Sequence, residues 1–299
     1  MPVQKYCFFW TYARILFLFL RISKKSTNFA VSKLRHRKTY MEKTQEQIAI
    51  EKQRTRLTKF FHEACAGYQL IEEGDHILIG LSGGKDSLLL TELLGKRAQI
   101  YKPRFRVTAL HVRVKERDYH SDLSYLEDFC RQAGVPLVVR DISLPPTPPL
   151  REGRTPREID NPCFLCAWYR RKTLFNVAQE LGCNKIAFGH HKDDVVQTML
   201  MNLVFAGSFA TMPPMLQLEK MPLRIIRPLC LIPEADIIAY SQMRGYEKQS
   251  KLCPFEHESA REKAKDLLAQ MKALNPDALS TLYNAMTNIK PEYLPKTKS

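Results

Sequence analysis

The sequence has few cysteines, no internal repeat and no long uninterrupted apolar run. Eight cysteines in 299 residues are too sparse for a secreted disulfide scaffold. The most apolar stretch, "FFWTYARILFLFL" at residues 8–20, is interrupted by Arg14 and is shorter than the about 20 residues that a membrane-spanning helix needs. With 44% apolar and 26% charged residues, the chain has an ordinary globular composition, and we expect a cytoplasmic protein of one large or two small domains.

Acidic residues are absent from the first 40 positions. The chain has 46 lysines and arginines against 31 acids, and nine of those bases fall within residues 1–40. The rest of the chain is only mildly basic, which permits a nucleic-acid partner without requiring one. We interpret residues 1–40 as a basic and apolar leader that arises from an over-called translation start, with Met41 as the true start. A membrane anchor is the alternative interpretation.

From residue 75 onward, apolar runs alternate with segments of helical spacing. The predicted strands are "HILIGL", "RFRVTALHV", "PLVVRDI", "NKIAFG" and "LRIIRPL", each followed by a predicted helix or loop. Strands this apolar, separated by helices, predict an α/β fold with an open, mostly parallel, five-stranded, Rossmann-like sheet covered on both faces. We expect a helical N-terminal segment at 41–74, the α/β domain at 75–245 and a helical C-terminal segment at 246–299. A segment with six prolines in 20 residues, 143–162, interrupts the domain and is predicted to be a loop.

The stretch "ILIGLSGGKDS" at residues 77–87 places a glycine turn between a buried strand and a helix. Ligands of open parallel sheets lie at the C-terminal ends of strands, and glycines let backbone N–H groups approach a phosphate. It is not a Walker loop, because only three residues separate Gly80 from Gly84 and Asp86 follows Lys85. Asp86 would repel bare phosphates, so we expect Mg²⁺ between them. The predicted nucleotide contacts are Ser82, Gly83, Gly84, Lys85, Asp86 and Ser87.

Three cysteines stand out from the others by their context. Cys163 and Cys166 form a C-x-x-C pair in "NPCFLCAWYRR", a spacing that fits a redox disulfide, half of a zinc site or part of an iron–sulfur site. Cys253, in the proline-marked "KLCPFE", is a candidate third ligand, and three thiolates leave a coordination position open. The remaining five are expected to be small buried hydrophobic residues: Cys7, Cys65, Cys130, Cys183 and Cys230.

These motifs resemble the PP-loop ATP pyrophosphatase superfamily and, within it, the tRNA 2-thiocytidine synthetase (TtcA-type) family. The similar stretches are "SGGKDS", "PCFLCAWYRRKTL", "KIAFGHHKDDVVQTMLMNL", "MPP", "IIRPL" and Cys253. The resemblance implies that ATP adenylates the 2-oxo group of a tRNA pyrimidine, cytidine 32, and that sulfur then displaces AMP. It also implies Mg²⁺, a [4Fe–4S] cluster held by Cys163, Cys166 and Cys253, sulfur from a cysteine desulfurase as persulfide or sulfide, and a homodimer. His111, in "ALHVR", is expected beside the adenine.

The stretch "GHHKDD" follows the fourth predicted strand and should reach the same edge of the sheet as the glycine loop. Gly189 would permit close approach to the nucleotide, and His190 and His191 are interpreted as orienting groups. Asp193 or Asp194 could hold Mg²⁺ or act as an acid or base in catalysis, with Lys85 and Asp86 as partners. Two acids at a helix start are also good capping residues, so that interpretation stays open.

The stretch "AWYRRK", residues 167–172, combines aromatic and basic side chains beside the cysteine pair. Arg170, Arg171 and Lys172 are candidate contacts of tRNA phosphates, and an aromatic ring there could stack on an extruded base. A packed Trp168 and a solvated basic face are the alternative. For the whole protein, the alternatives are another adenylating enzyme, such as a lysidine-type, 2-thiouridine-type or amide-forming ligase, and a nucleotide-switched RNA-binding or redox iron–sulfur protein without enzymatic activity.

Overall fold

The computed structural model describes residues 45–115, 119–120, 122–144, 162–247, 250–251 and 260–295. The predicted leader, nearly all of the proline-rich segment and Cys253 lie outside these ranges. The chain divides into two compact units, residues 1–52 and 53–299. Of the first unit, the described residues 45–52 begin helix α1 (Gln45–Gly67). Within the described ranges, no helix has the length and apolar character required to cross a membrane.

The second unit alternates strands and helices, as the apolar pattern predicts. Its strands are β1 (His76–Gly80), β2 (Arg106–Val114), β3 (Tyr119–His120), β4 (Leu137–Ile142), β5 (Lys185–Ala187), β6 (Met215–Gln217), β7 (Arg224–Ile226) and β8 (Ser250–Lys251). Its further helices are α2 (Lys85–Ala98), α3 (Leu123–Ala133), α4 (Pro162–Glu180), α5 (Lys192–Ala206), α6 (Glu234–Met243), α7 (Ala260–Leu274) and α8 (Ala278–Ala285), followed by a 3₁₀ turn at Pro291–Tyr293.

The main sheet has the strand order β4-β2-β1-β5-β7-β6, and every neighbouring pair is parallel except β6 with β7. This confirms the predicted mostly parallel α/β fold. The predicted count of five strands was wrong, because β6 adds a sixth strand at one edge. Its three residues are mostly exposed, so the strand leaves no continuous apolar run in the sequence. A separate two-stranded sheet pairs β3 with β8.

The core lies on both faces of the sheet. On one face, Leu174, Val177 and Ala178 of α4 pack against Leu78 of β1 and Ile186 of β5. Helix α2 is buried along Leu88, Leu89 and Leu90, each wholly inaccessible to solvent. Burying a leucine side chain contributes about 1.5–3 kcal/mol, so these two helices hold the sheet rigid at its centre.

A second apolar cluster joins the C-terminal helices to α5. Val196 and Met199 of α5 pack against Leu268 of α7 and Leu279 of α8. Helices α7 and α8 therefore form part of the same body as the sheet rather than a free tail. The position of α7 matters for the site, because its first turn reaches the start of α5.

Four of the cysteines expected to be small hydrophobic residues fall within the described ranges. Cys130, Cys183 and Cys230 are buried, and Cys65 is half-buried. Burial raises the pKa of Cys65 to about 12 and that of Cys130 to about 11. These thiols stay protonated near neutral pH, so they are poor nucleophiles and poor metal ligands.

Candidate active site at the strand switch point

The site lies where the order of the strands reverses. From β1 the chain proceeds to β2 and β4 on one side, and later to β5 and β7 on the other. The loops after β1 and β5 are therefore adjacent at the C-terminal edge, where open α/β sheets bind ligands. A cleft of about 830 Å³ opens there, between these loops, helix α4 and the start of α7.

Residues predicted from three separate stretches of the sequence line this cleft together. The glycine loop contributes Ser82, Lys85, Asp86 and Ser87; the loop after β5 contributes Gly189, His190, His191 and Asp194; helix α4 contributes Ala167, Arg170 and Arg171. Apart from the cysteines, the other predicted site residues are not among the lining residues: Gly83, Gly84, His111, Asp193 and Lys172.

The glycine loop is closed by its own hydroxyl groups. The Ser87 hydroxyl donates to the Gly84 carbonyl at 2.9 Å and accepts from the Ser82 backbone N–H at 3.2 Å. Gly83 has φ +80°, a left-handed conformation that favours glycine. Gly84, the N-cap residue of α2, has no side chain to cap the helix, and its own N–H donates to the Ser82 hydroxyl at 3.4 Å. The N–H groups of the first turn and the positive end of the helix dipole therefore face a bound anion without a capping side chain from Gly84.

Gly189 lets the loop after β5 pack directly on the first turn of α2. A Cβ added at Gly189 would lie 3.0 Å from the Asp86 carbonyl carbon, 3.1 Å from its oxygen and 3.2 Å from the Ser87 nitrogen. All three contacts are backbone atoms. A side chain at this position would therefore separate the two loops. The predicted close approach of Gly189 to the nucleotide stays a prediction.

Lys85 lies between two carboxylates at the mouth of the loop. Its Nζ is 3.1 Å from Asp86 Oδ2 and 2.9 Å from Glu234 Oε1. Burial alone would lower the pKa of Lys85, but the charges of Asp86 and Glu234 outweigh burial and raise it. Lys85 is therefore a permanent cation, suited to a phosphate oxygen. Asp86 Oδ1 is buried and lacks a hydrogen-bond partner among the described residues, so it can accept a further cation or donor.

The adjacent acids Asp193 and Asp194 point to different partners. Asp194 lines the cleft, forms a capping box with His191 and pairs with Arg261 of α7. Burial would raise the pKa of Asp194, but His191 and Arg261 outweigh it and lower the pKa. Asp194 is thus a stable carboxylate, better suited to holding a cation than to donating a proton.

Asp193 instead bridges three helices and is not part of the cleft lining. Its carboxylate accepts from the Glu234 backbone N–H at 2.7 Å and from Lys272 Nζ at 2.7 Å, which joins α5 to α6 and α7. The capping interpretation of the two acids is thus observed for Asp194, and a helix-bridging contact for Asp193. A catalytic role for either residue stays a prediction.

Two histidines near the cleft are neutral. Burial lowers the pKa of His190 to about 4, with a further contribution from Arg227. Burial also lowers the pKa of His111, whose Nδ1 lies 2.8 Å from the Leu81 carbonyl oxygen. His111 therefore supports the start of the glycine loop from β2, and its expected contact with adenine stays a prediction.

Helix α4 carries the C-x-x-C pair in its first turns and the basic residues after it. Arg170 donates to the Val112 carbonyl at 3.2 Å, whereas Arg171 is exposed at the rim. Lys172 is exposed and lies over the half-buried Trp168 ring, 5.2 Å from its centroid. Cys166 is half-buried and immediately precedes Ala167, a residue of the cleft wall.

Only one of the three predicted thiol ligands can be located fully. The side chain of Cys163 and the whole of Cys253 fall outside the described residues, although β8 ends two positions before Cys253. The described residues contain no group of three or more cysteine, histidine or acidic side chains arranged to hold a metal. The predicted three-cysteine site therefore stays a prediction.

Sequence reasoning missed three charged residues of the cleft: Arg227, Glu234 and Arg261. Glu234 and Arg261 occupy the first turns of α6 and α7, where a charged residue is unremarkable. Arg227 belongs to the "IIRPL" stretch, which supports the family resemblance but gives no prediction for Arg227 itself. A basic residue directly after a buried strand was the available signal for it.

Comparison with known proteins agrees with these features. The model of the PP-loop domain family matches residues 49–249. Curated relatives include the tRNA-cytidine(32) 2-sulfurtransferase of Chromohalobacter salexigens, 31% identical over 83% of this chain and 86% of that protein. The enzyme of the same name from Geotalea uraniireducens is 34% identical over 80% of this chain and 94% of that protein.

A solved structure supports the same relationship. The U34-tRNA thiolase NcsA from Methanococcus maripaludis, described with its [4Fe–4S] cluster, superposes with a TM-score of 0.62. It is 25% identical and covers 82% of this chain and 81% of its own. The predicted resemblance is thereby confirmed: the chain belongs to the PP-loop family and, within it, to the tRNA-cytidine(32) 2-sulfurtransferases.

Proposed function

We propose that this chain is a tRNA-cytidine(32) 2-sulfurtransferase. It would adenylate the 2-oxo group of cytidine 32 with ATP, release pyrophosphate, and replace the adenylated oxygen with sulfur while AMP departs. The observation that carries this proposal is a single cleft in which the glycine loop faces helix α4, whose first turns contain the C-x-x-C pair. Nucleotide chemistry and sulfur chemistry could then act on the same base.

The glycine loop would bind the triphosphate. The first-turn N–H groups of α2 offer hydrogen-bond donors, while the hydroxyls of Ser82 and Ser87 hold the shape of the loop. Lys85 offers a charge that its surroundings keep protonated. An amide-like oxygen is a poor leaving group, and adenylation converts it into the oxygen of AMP. The loop therefore serves by orienting the α-phosphate toward the base rather than by promoting γ-phosphate hydrolysis.

We propose that Mg²⁺ accompanies ATP in this cleft. The fit rests on oxygen donors: Asp86 Oδ1 is buried without a described partner, and the Asp194 carboxylate has a lowered pKa and lines the same wall. Hard oxygen ligands of this kind are those that Mg²⁺ prefers. Bound there, the ion would offset repulsion between these acids and the phosphates. Asp193, held by Lys272, is the less suitable of the two adjacent acids.

We also propose that Cys163, Cys166 and Cys253 hold a [4Fe–4S] cluster. Two thiols three positions apart on a helix share one side of it, which suits two ligands of one cluster. When bound, such a cluster would supply the site at which sulfur is delivered to the base. The described thiols outside this set, those of Cys65, Cys130, Cys183 and Cys230, have raised pKa values and are poor ligands.

The tRNA would approach over helix α4. Arg171 and Lys172 are exposed beside the cleft and are proposed to contact phosphates, with Arg170 closer to the base. By the same family relationship, we propose a homodimer in the cytoplasm that takes sulfur from a cysteine desulfurase. The sulfur donor enters only after the tRNA has been adenylated, so adenylation and sulfur donation can be tested separately.

The decisive experiment is nucleoside mass spectrometry of tRNA from a strain that lacks this chain. We expect 2-thiocytidine to disappear and to return with the wild-type gene. Loss of a 2-thiouridine instead would place the chain with the uridine enzymes, and loss of neither would refute thiolation. In purified protein, tRNA-dependent exchange between ATP and pyrophosphate would separate an adenylating enzyme from a protein that only binds RNA.

The cysteine set has its own test. Alanine at Cys163, Cys166 or Cys253 should abolish thiolation and remove iron from anaerobically purified protein. Cys65→Ala provides the matched control, because Cys65 is also half-buried but has a raised pKa and lies outside the cleft. A cysteine whose alanine variant retains full iron content would be excluded from the ligand set.

A further inference from the structure

Arg227 is a buried cation with no counter-ion among the residues that the structure describes. It directly follows β7, lines the cleft and is only 7% exposed. Its Nη1 donates to the Pro213 carbonyl at 2.6 Å, while its Nε has no hydrogen-bond partner among the described residues. No carboxylate of the described part of the chain lies within ion-pair distance of it. Burial lowers the pKa of Arg227.

This arrangement is costly unless a ligand completes it. Withdrawing a charged group from water costs several kcal/mol when no partner offsets it. The other deeply buried cation, Lys185, shows the usual solution, because its Nζ lies 2.8 Å from both Glu72 and Asp75. Arg227 lacks such an acid and faces open space in the cleft instead. The missing anion would then come from a bound molecule.

A second buried group points the same way. His190 Nδ1 also has no hydrogen-bond partner among the described residues, and His190 lines the same cleft. The charge of Arg227 helps to lower the pKa of His190, after burial. A neutral imidazole and a guanidinium together offer donors to one anionic oxygen atom or to two adjacent ones.

The position of Arg227 separates it from the glycine loop. Strand β5 lies between β1 and β7, so the two strand ends are about 10 Å apart at ordinary strand spacing. Arg227 therefore enters the cleft from a different strand than the glycine loop, on the side beyond the loop that follows β5. An anion held by it would lie toward that side.

From this geometry we infer that Arg227 and His190 form a second phosphate-binding subsite, on the β7 side of the cleft. This inference rests on the proposed function, which brings two phosphate-bearing molecules to the cleft: ATP, through its α-phosphate, and tRNA, through a phosphodiester beside the target base. If the subsite holds the α-phosphate, the glycine loop holds the β- and γ-phosphates. If the subsite holds the tRNA phosphodiester, the loop holds the whole triphosphate.

The test is Arg227→Met in the full-length protein, which keeps an unbranched apolar stem and removes the charged guanidinium. The control is Arg224→Met on the same strand: Arg224 pairs with Glu72 at 2.8 Å and does not line the cleft. Dissociation constants would be measured for MgATP alone and for an unmodified tRNA transcript alone. Melting temperatures would be measured without ligand.

We expect Arg227→Met to raise the dissociation constant for one of the two ligands at least tenfold, without lowering the melting temperature measured in the absence of ligand. Loss of MgATP affinity would identify the ATP phosphate, and loss of tRNA affinity would identify the phosphodiester. Unchanged affinity for both would overturn the inference. So would a large drop in melting temperature together with a second charge-free variant, Arg227→Gln, that folds and binds both ligands like the wild type.

The wild-type protein separates this inference from the proposed function. If the wild type binds neither MgATP nor tRNA, the proposed function fails. If it binds both and Arg227→Met does so equally well, only the subsite is refuted. Arg224→Met should match the wild type in both measurements, which controls for the loss of one positive charge from β7.

Discussion

Replacing Gly189 with alanine should damage the nucleotide site more than it damages the fold. The added Cβ would lie 3.0–3.2 Å from three backbone atoms of Asp86 and Ser87, where ordinary contacts begin at 3.4 Å. Backbone atoms cannot rotate away, so the loop after β5 and the first turn of α2 must separate by a few tenths of an ångström. Such overpacking costs about 1–3 kcal/mol of the free energy of unfolding.

The affected turn is also the proposed binding surface for the phosphates. A misplacement of about 1 Å can cost about 100-fold in rate, so a shift of a few tenths should lower ATP affinity and adenylation by about tenfold. The free energy of unfolding would be measured by urea denaturation, and ATP binding by calorimetry. The free energy of unfolding and the ATP affinity should both fall. The loss of ATP affinity should be larger than a smaller fraction of folded protein would explain.

Gly67→Ala is the matched control. Gly67 ends helix α1, and an added Cβ there meets nothing within 4 Å. Alanine in a helix is favoured over glycine by up to about 1 kcal/mol, so this variant should be neutral or slightly stabilised and should bind ATP normally. If Gly189→Ala matched the wild type in both stability and ATP binding, the two loops would not be in the close contact described here.

Three further outcomes follow from the buried charges. Lys185→Met should lower the free energy of unfolding in urea by about 3–5 kcal/mol, because it leaves Asp75 buried without its cation. Arg261→Met should move the acid limb of the pH–rate profile to higher pH, because the pKa of Asp194 is lowered partly by Arg261; an unmoved limb would mean that Asp194 does not control it. Folding lowers the pKa of His190 from 6.5 to about 4. Between these pH values the unfolded chain binds more protons than the folded chain, so the stability that His190 contributes above pH 6.5 is lost on acidification toward pH 4. His190→Gln should flatten that part of the stability–pH curve, and an unchanged slope would assign it to other groups.

The features that the sequence predicts well are local ones. A buried strand such as β1 appears as a continuous apolar run, and the turn after it is marked by adjacent glycines, so the sheet and the phosphate loop need no distant information. The same holds for the helix that carries the C-x-x-C pair. Strand β6 escaped prediction because three half-exposed residues at an edge resemble a loop.

The features that escaped prediction depend on contacts between distant residues. Lys85 and Glu234 are 149 positions apart, and Asp194 and Arg261 are 67 apart. In the sequence, Glu234, Asp193 and Asp194 each look like an ordinary acid in the first turn of a helix. Only the packing of α6 and α7 shows that Asp194 faces the cleft while Asp193 bridges helices.

The charges of the cleft explain how nucleotide binding could be made selective. Lys85 already pairs with Asp86 and Glu234, and Arg261 already pairs with Asp194. An incoming phosphate therefore meets two cations that are each engaged with a carboxylate. A bare triphosphate must displace these pairs, whereas one that carries the proposed Mg²⁺ brings its own cation to Asp86 and Asp194. Arg227 differs because no acid in the described part of the chain pairs with it. An anion that reaches the β7 side therefore gains a full ionic contact without breaking one, which would favour the arrangement in which the reacting phosphate lies toward Arg227 rather than outside the cleft.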